Sequence, residues 1–248
     1  YFMMTGTLDI KQTKKAASVL NKHLEEKKKQ GKPQLLEEVD YFDVQILLSK
    51  PMGESKTCPI AIELPHAIYD TESEICVFTK GEQKEYREMF KDEFPDVKVI
   101  GIEKLRKNYK SFESKRKLVA TYDLFFADGA IIPLLPPLLG KAFFVRRKHP
   151  LPLRIEKGNI AETMETALSC TRFFRTSGKC ISVRVGHSGQ SPAEIAANCA
   201  AVLEFITTKY LNGWDTILSV GLKSTNSVCL PIYNCLPTES EEVEETEQ

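Results

Sequence analysis

The 248-residue sequence predicts a two-domain protein of mixed class, an α+β domain built from both chain ends with a three-layer, Rossmann-like α/β domain inserted between them. Three observations predict it. Ile75 to Thr79, Val97 to Ile102 and Tyr122 to Ala127 are short apolar runs, each followed by a stretch of helical character, and successive βα units build a parallel sheet with helices on its faces. The flanks, residues 1–68 and 153–237, mix helical and alternating patterns, and neither is complete alone. The segment between them, residues 69–152, is about 80 residues long, within the range of an independent domain.

In chain order, Lys11 to Lys29 places Ala17, Leu20 and Leu24 at helical spacing among lysines and predicts an amphipathic helix covering a sheet and ending before Gly31 and Pro33. Asp43 to Ser49 and Cys58 to Leu64 are strand-like, with Pro51-Met52-Gly53 between them, and predict an antiparallel pair. Helices are expected in the inserted domain at Glu82 to Glu93, Glu103 to Val119 and Asp128 to Leu139. After Leu153 come a helix from Asn159 to Phe173, a strand from Ile181 to Val185, a helix from Pro192 to Tyr210, and strands near Thr216 to Leu222 and Val228 to Tyr233. Ser191, Pro192 and Glu194 form the start of a capped helix, a Ser-x-x-Glu box with proline in the first turn. Crossings at Pro65 to Asp70 and Pro150 to Leu153 read as a paired hinge. Residues 238–248 read as a disordered acidic tail.

Composition removes several function classes. With 42% hydrophobic and 27% charged residues the chain can bury a large core, so wholesale disorder is excluded. Its richest apolar window, Ala127 to Val145, is interrupted by Asp128, Lys141, prolines and glycines, which argues against a membrane span. Tyr1-Phe2-Met3-Met4 leads to Asp9 without a signal-peptide core. The first residue is not Met, so a fragment and a start at Met3 or Met4 are both open. Seven cysteines without a Cys-x-x-Cys pair and four scattered histidines offer no zinc module, and no metal or cofactor is expected. Reduced thiols in apolar runs such as Ile75-Cys76-Val77-Phe78 suit the cytosol or nucleus.

A formal net charge of zero hides segregation. Glu239 to Gln248 carries six glutamates, and without them 34 basic residues face 28 acidic ones. Glu103 to Lys117 holds Lys104, Arg106, Lys107, Lys110, Lys115, Arg116 and Lys117 against Glu103 and Glu113, and Lys141 to Lys157 adds six bases against one Glu. Such clusters attract polyanions or are simply solvated helix faces.

Catalytic motifs are lacking. Gly186-His187-Ser188-Gly189-Gln190 stands where a nucleophile elbow would, but Gln190 replaces the required glycine, so it reads as a strand-to-helix turn. Neither Gly-x-x-x-x-Gly-Lys-Ser/Thr nor Gly-x-Gly-x-x-Gly occurs, and no small-molecule substrate is expected. Leu134 to Gly140 reads as a buried helical turn and its exit, and His66 as a hydrogen-bonder at the hinge. Lys223-Ser224-Thr225-Asn226-Ser227 joins two apolar runs with small hydroxyl and amide residues beside a base; alone it is a polar hairpin, and in context it suits phosphate and 2′-hydroxyl contacts.

Leu64-Pro65-His66 with Ile75 to Gly81 resembles the LPH and VFAKG segments of the ribosomal protein L-one family, that of the large-subunit stalk protein. Tyr122 to Asp128, Pro133 to Pro136 and Leu139-Gly140-Lys141 are similar to its domain II signature, and Val183 to Gly186 and Lys223-Ser224-Thr225 to its closing segments, in the same order from about Leu36 to Tyr233. The resemblance implies the two-domain ribosomal L-one fold, with a split α+β domain I (1–68 and 153–237) and an inserted α/β domain II (69–152). It also implies binding of structured ribosomal RNA, chiefly through domain I, without catalysis. Ribosomal members continue Ser-Thr with Met-Gly-Pro, whereas Asn226-Ser227-Val228 follows here, and their Phe-Asp-Glu-Thr segment has no clean match near Val39 to Val44. With the Lys-rich segments, this divergence resembles the eukaryotic nucleolar L-one-domain-containing proteins of the cellular senescence-inhibited type.

The expected role is therefore a non-enzymatic ribosome biogenesis factor of the nucleus and nucleolus, its partners pre-ribosomal or ribosomal RNA and pre-ribosomal assembly proteins. A mature stalk protein and a protein-interaction module on the same scaffold remain alternatives. The expected RNA contacts are Lys223, Ser224, Thr225 and Asn226, then Arg184 and Lys179 in domain I, with phosphate contacts from Lys141, Arg146, Arg147 and Lys148 near the hinge.

Overall fold

The computed structural model describes residues 8–30, 40–53, 59–69, 73–81, 83–91, 94–146, 148–155, 159–211, 213–224 and 227–235. The elements are α1 (Ile10–Gln30), β1 (Tyr41–Leu48), β2 (Ile60–Glu63), β3 (Ile75–Thr79), α2 (Gln83–Lys91), β4 (Lys98–Gly101), α3 (Ile102–Asn108), α4 (Phe112–Thr121), β5 (Leu124–Asp128), α5 (Leu135–Leu139), α6 (Lys141–Val145), β6 (Leu151–Leu153), α7 (Ile160–Ser169), β7 (Cys170–Phe173), β8 (Cys180–His187), α8 (Pro192–Ile206), β9 (Ile217–Ser224) and β10 (Leu230–Asn234). By packing they form two compact units. One comprises Tyr1–Thr57, Leu64–Ile68 and Phe173–Gln248, the other Cys58–Glu63 and Tyr69–Arg172.

In the split unit β10, β9, β1 and β8 make an antiparallel sheet in that order. Strict alternation in β1 turns Phe42, Val44, Ile46 and Leu48 fully inward, each such side chain contributing about 1.5–3 kcal/mol by leaving water. The face they share is covered by α1 and α8. Ala17, Leu20 and Leu24 are the buried stripe of α1, and α8 opens with the capping box, Ser191 Oγ accepting from Glu194 N and Ser191 N donating to the Glu194 carboxylate.

The register of β1 on β8 jumps from Phe42↔Gly186 to Asp43↔Arg184. Val185 is thus the extra residue of a β-bulge and has no ladder partner on β1. Its carbonyl accepts instead from Asn198 Nδ2 of α8 at 2.8 Å. Asn198 is fully buried; its Nδ2 also donates to His66 O at 3.0 Å and its Oδ1 accepts from His66 N at 3.0 Å. Gln190 Nε2 adds a bond to Ala67 O at 2.7 Å. His66 is therefore held through its backbone.

The inserted unit carries a parallel sheet in the order β4, β3, β5, β6. Every residue of β3 is buried, as expected of a strand covered on both faces. Phe78 stacks on Phe125 at 5.9 Å, and Phe125 meets Phe143 edge-on at 4.9 Å, at the centre of the core shared with Leu105, Leu118, Leu135 and Leu139.

Several sequence expectations need correction. The segments at 43–49 and 58–64 do not pair with each other. β1 pairs with β8 and β9, and β2 with β7, because all three long strands have eight residues whereas β2 has four. Glu103 to Val119 is two helices, α3 and α4, and Ser111 caps the second. Asp128 to Leu139 yields only a 3₁₀ turn at Ile132–Leu134 and the short α5, since Pro133, Pro136 and Pro137 remove backbone donors. Leu151 to Leu153, read as part of a crossing, is the edge strand β6 beside β5, a place where Pro152 is tolerated. The helix expected from Asn159 to Phe173 stops at Ser169, and Cys170–Phe173 pairs with β2 as β7. Accordingly 58–63 and 153–172 pack with the inserted unit, whereas the sequence reading grouped them with the split domain. Leu134 is 53% exposed while Leu135 and Leu139 are buried. The tail at 238–248 lies outside the described residues.

Among the described residues no helix is long and apolar enough to cross a membrane. Cys76, Cys170 and Cys199 are buried free thiols, Cys180 and Cys229 exposed ones. Burial pushes the Cys199 thiol up to about 12 and that of Cys76 further, so both behave as apolar residues.

Candidate nucleic-acid interface

The alternation that buries one face of the split unit's sheet sets polar side chains on the other. Tyr41, Asp43 and Gln45 of β1 lie on this solvent-facing side. The register aligns Arg184, Asp43 and Lys223 in one row across β8, β1 and β9. Arg184 Nε is 3.9 Å from Asp43 Oδ1, and its guanidinium carbon sits 3.9 Å from the centroid of the Tyr41 ring. Stacking and ion pairing together restrict a side chain that otherwise carries about 2 kcal/mol of rotamer entropy. Beside this row lies a hollow of about 450 Å³ lined by residues including Gln45, Leu47, Cys180, Ser219, Gly221 and Pro231. A Cβ on Gly221 would overlap Cys229 Sγ and come within 3.3 Å of Leu230 O, so a larger residue there would have to turn the Cys229 side chain aside.

The loop after β9 is closed by Ser227, whose Oγ accepts from Ser224 N at 2.8 Å and donates to Val228 O at 3.1 Å. Lys223 is half-buried on the solvent-facing side, but Ser224 pairs with Phe42 on the packed face and is fully buried. Among the described residues its Oγ has no hydrogen-bond partner. The period of two thus divides two residues that the sequence reading had grouped as contacts, and Ser224 is out of a ligand's reach in this conformation. Thr225 and Asn226 lie outside the described residues. Lys179 is exposed immediately before β8.

In the inserted unit Lys141 and Arg146 are exposed at the two ends of α6, and Arg147 lies outside the described residues. Lys148 differs from expectation. Its Nζ donates to Tyr122 O at 2.8 Å and Val119 O at 3.1 Å and sits 3.4 Å from Asp123 Oδ1. The cation clamps the C-terminal carbonyls of α4, where the helix dipole favours positive charge, and its donors are spent within the fold.

The sequence profile of the Ribosomal protein L1p/L10e family matches residues 11–228. The chain belongs to this family. Its fold is the ribosomal L1 fold. The chain is 28% identical over 245 residues to "Ribosomal L1 domain-containing protein 1" of Mus musculus, covering 95% of this chain and 54% of that protein. It is 29% identical over 199 residues to "Putative ribosome biogenesis protein C8F11.04" of Schizosaccharomyces pombe, covering 77% of this chain and 53% of that protein. Against "Large ribosomal subunit protein uL1" of Caenorhabditis elegans it is 26% identical over 152 residues, covering 61% and 67%. The chain therefore spans about half the length of the mouse and fission-yeast relatives.

Within this family member the sites that resembled catalytic machinery are structural. At the turn after β8, Gly189 N donates to His187 Nδ1 and Gln190 N to His187 O, both at 3.1 Å, and a Cβ on Gly186 would strike Gln190 Oε1. A hollow of about 460 Å³ in the inserted unit includes Glu63, Arg154, Glu162 and Cys170 in its lining. Burial pushes the Cys170 thiol up to about 11, so it stays a neutral, unreactive thiol near pH 7. Among the described residues no group of three or more His, Cys, Asp or Glu could hold a metal ion. Sequence reasoning missed Tyr41, Asp43 and Gln45 as members of the open face. The alternation Tyr-Phe-Asp-Val-Gln-Ile from 41 to 46 was the available signal.

Proposed function

We propose that this chain is a non-catalytic RNA-binding ribosome biogenesis factor, acting on pre-ribosomal RNA or pre-ribosomal particles in the nucleolus, with assembly proteins as further partners. The observation that carries the reading is the row of Arg184, Asp43 and Lys223 on the open sheet face, its arginine held in place on Tyr41. Held cations meet phosphates with little ordering cost, and Asp43 brings an acceptor suited to a ribose 2′-hydroxyl, a group that DNA lacks. Lys179, exposed at the other end of β8 from Arg184, is a separate proposed contact on the same edge strand, and Thr225 and Asn226 are proposed contacts at the loop. The relatives named for ribosome biogenesis support assembly over the mature stalk, as does the replacement of Met-Gly-Pro by Asn226-Ser227-Val228 after Ser224-Thr225.

Affinity for structured pre-ribosomal RNA, measured from low to moderate salt, tests the reading. Lys223→Ala is expected to weaken binding and to lower the slope of log K against log salt by about 0.7 to 0.9, the weight of one phosphate contact. An unchanged affinity and slope in Lys223→Ala and Arg184→Ala would sink the interface. Sedimentation of cell extracts separates the roles, since an assembly factor tracks precursor particles and a stalk protein tracks polysomes.

A further inference from the structure

The inserted unit presents a cationic flank that its described residues leave unneutralised. On α4, Phe112, Lys115 and Arg116 are related by i, i+3 and i+4 and share one side of the helix. The acid of this helix, Glu113, is occupied at 2.9 Å by Lys117 on the adjoining side. The α4 helix packs against α6, and Lys115 Nζ lies 3.7 Å from the position a Cβ would take on Gly140, the residue that turns the chain from α5 into α6 at φ 70°. Lys141, next to Gly140, therefore adjoins the same flank, whereas Arg146 lies at the other end of α6, two residues before the Lys148 that bonds the C-terminal end of α4. Among the described residues no carboxylate lies within ion-pair distance of Lys115, Arg116, Lys141 or Arg146. Phe112 stands 78% exposed at the start of α4 and Val145 80% exposed at the end of α6.

An aromatic ring left bare among unpaired cations is unfavourable in water and matches the chemistry of one partner class closely. Aromatic side chains stack on the π-face of unpaired bases while neighbouring lysines and arginines track the phosphates on either side. Duplex RNA hides its base faces inside the stack, so the ring selects single strands. We propose that the α4–α6 flank binds single-stranded RNA, with Phe112 stacking on an unpaired base and Lys115, Arg116 and Lys141 meeting the adjoining phosphates. This site lies wholly within the inserted unit and does not depend on the open sheet face of the split unit.

Fluorescence anisotropy of the full chain with a short labelled oligouridylate, and with a blunt RNA duplex, tests the proposal. Phe112→Ala and Phe112→Leu should each weaken oligouridylate binding by about tenfold, the weight of one lost base stack, with duplex affinity and salt slope unchanged. Lys115→Glu with Arg116→Glu should lower the oligouridylate salt slope by about 1.4, two single-strand phosphate contacts. Phe112 is exposed, so its removal does not threaten folding. Unchanged oligouridylate affinity in both Phe112 variants would overturn the inference, even if Lys223→Ala still weakened binding to structured RNA. Equal loss on duplex and single strand would reduce the flank to an unspecific electrostatic patch. An unchanged RNA affinity combined with loss of an acidic protein partner would make it a protein-docking surface and equally refute the RNA reading.

Discussion

Replacing Asn198 by leucine removes a buried side chain that satisfies three backbone groups of the split unit, one of them buried and two half-buried. His66 N–H, His66 C=O and the bulged Val185 C=O all bond to its amide at 2.8–3.0 Å. The leucine fills a similar volume, so the cavity term is small and the loss is mostly polar. The buried Val185 carbonyl left without a partner costs about 1–3 kcal/mol, and the two half-buried His66 groups, which water can partly reach, add less each, so the three together cost about 2–5 kcal/mol, a large share of a typical domain's 5–15 kcal/mol. The single tryptophan, Trp214, lies in the split unit with its ring 5.1 Å from that of Tyr233, so its fluorescence reports that unit's unfolding even if the whole chain is not two-state. With a urea slope of about 2 kcal/mol per molar, the midpoint should fall by about 2 M. Asn198→Asp keeps the acceptor for His66 N but sets a carboxylate against two carbonyl oxygens, an arrangement that raises its folded pKa above the unfolded value of about 3.9. Stability of that variant is then fully present below the unfolded pKa and is lost as pH rises through the folded one. A leucine variant less than about 1 kcal/mol below wild type would show that these groups find other partners, and the reasoning about the bulge would fail.

Two further outcomes follow from the same geometry. Lys148→Met keeps the apolar stem but removes the clamp on Val119 O and Tyr122 O; it should destabilise the inserted unit by about 1–2 kcal/mol, seen as faster hydrogen exchange in α4 and β5, with RNA affinity unchanged. A lower salt slope at unchanged stability would instead return this lysine to the RNA. At the start of α8 the Ser191 backbone N–H, with help from the Ser191 side chain, holds the Glu194 carboxyl below its usual range. A depressed carboxyl stabilises above its unfolded pKa of about 4.3 and loses that contribution as pH falls through the folded value. The urea midpoints of wild type and Glu194→Gln should therefore differ at pH 7 and converge in acid, and a gap constant with pH would remove the capping account.

What was legible in the chain follows from the range of each interaction. The core of β3 showed as an uninterrupted apolar run because a parallel strand buried on both faces needs nothing else, and the box at Ser191 is complete within four residues. The partner of β1 was not legible, because strand pairing is settled by residues more than a hundred positions away and the nearest strand in sequence is the wrong one. The same holds for the site. Lys223 and Arg184 could be nominated singly, but the row they form with Asp43 exists only through two registers, and the bulge at Val185 sets one of them. Ser224 was hidden for a different reason, the regular pairing of β9 with β1. A loop looks like one polar unit in sequence, whereas the pleat of β9 continues to Ser224 and turns alternate residues to opposite faces. If Arg184, Asp43 and Lys223 recognise RNA, the register that aligns them is itself a determinant of binding, and Asn198, which satisfies the bulged carbonyl from the opposite side of the sheet, acts on the interface without touching the ligand. Loss of RNA affinity in Asn198→Asp at a urea-free pH where the unit remains folded would distinguish that positioning role from stability alone.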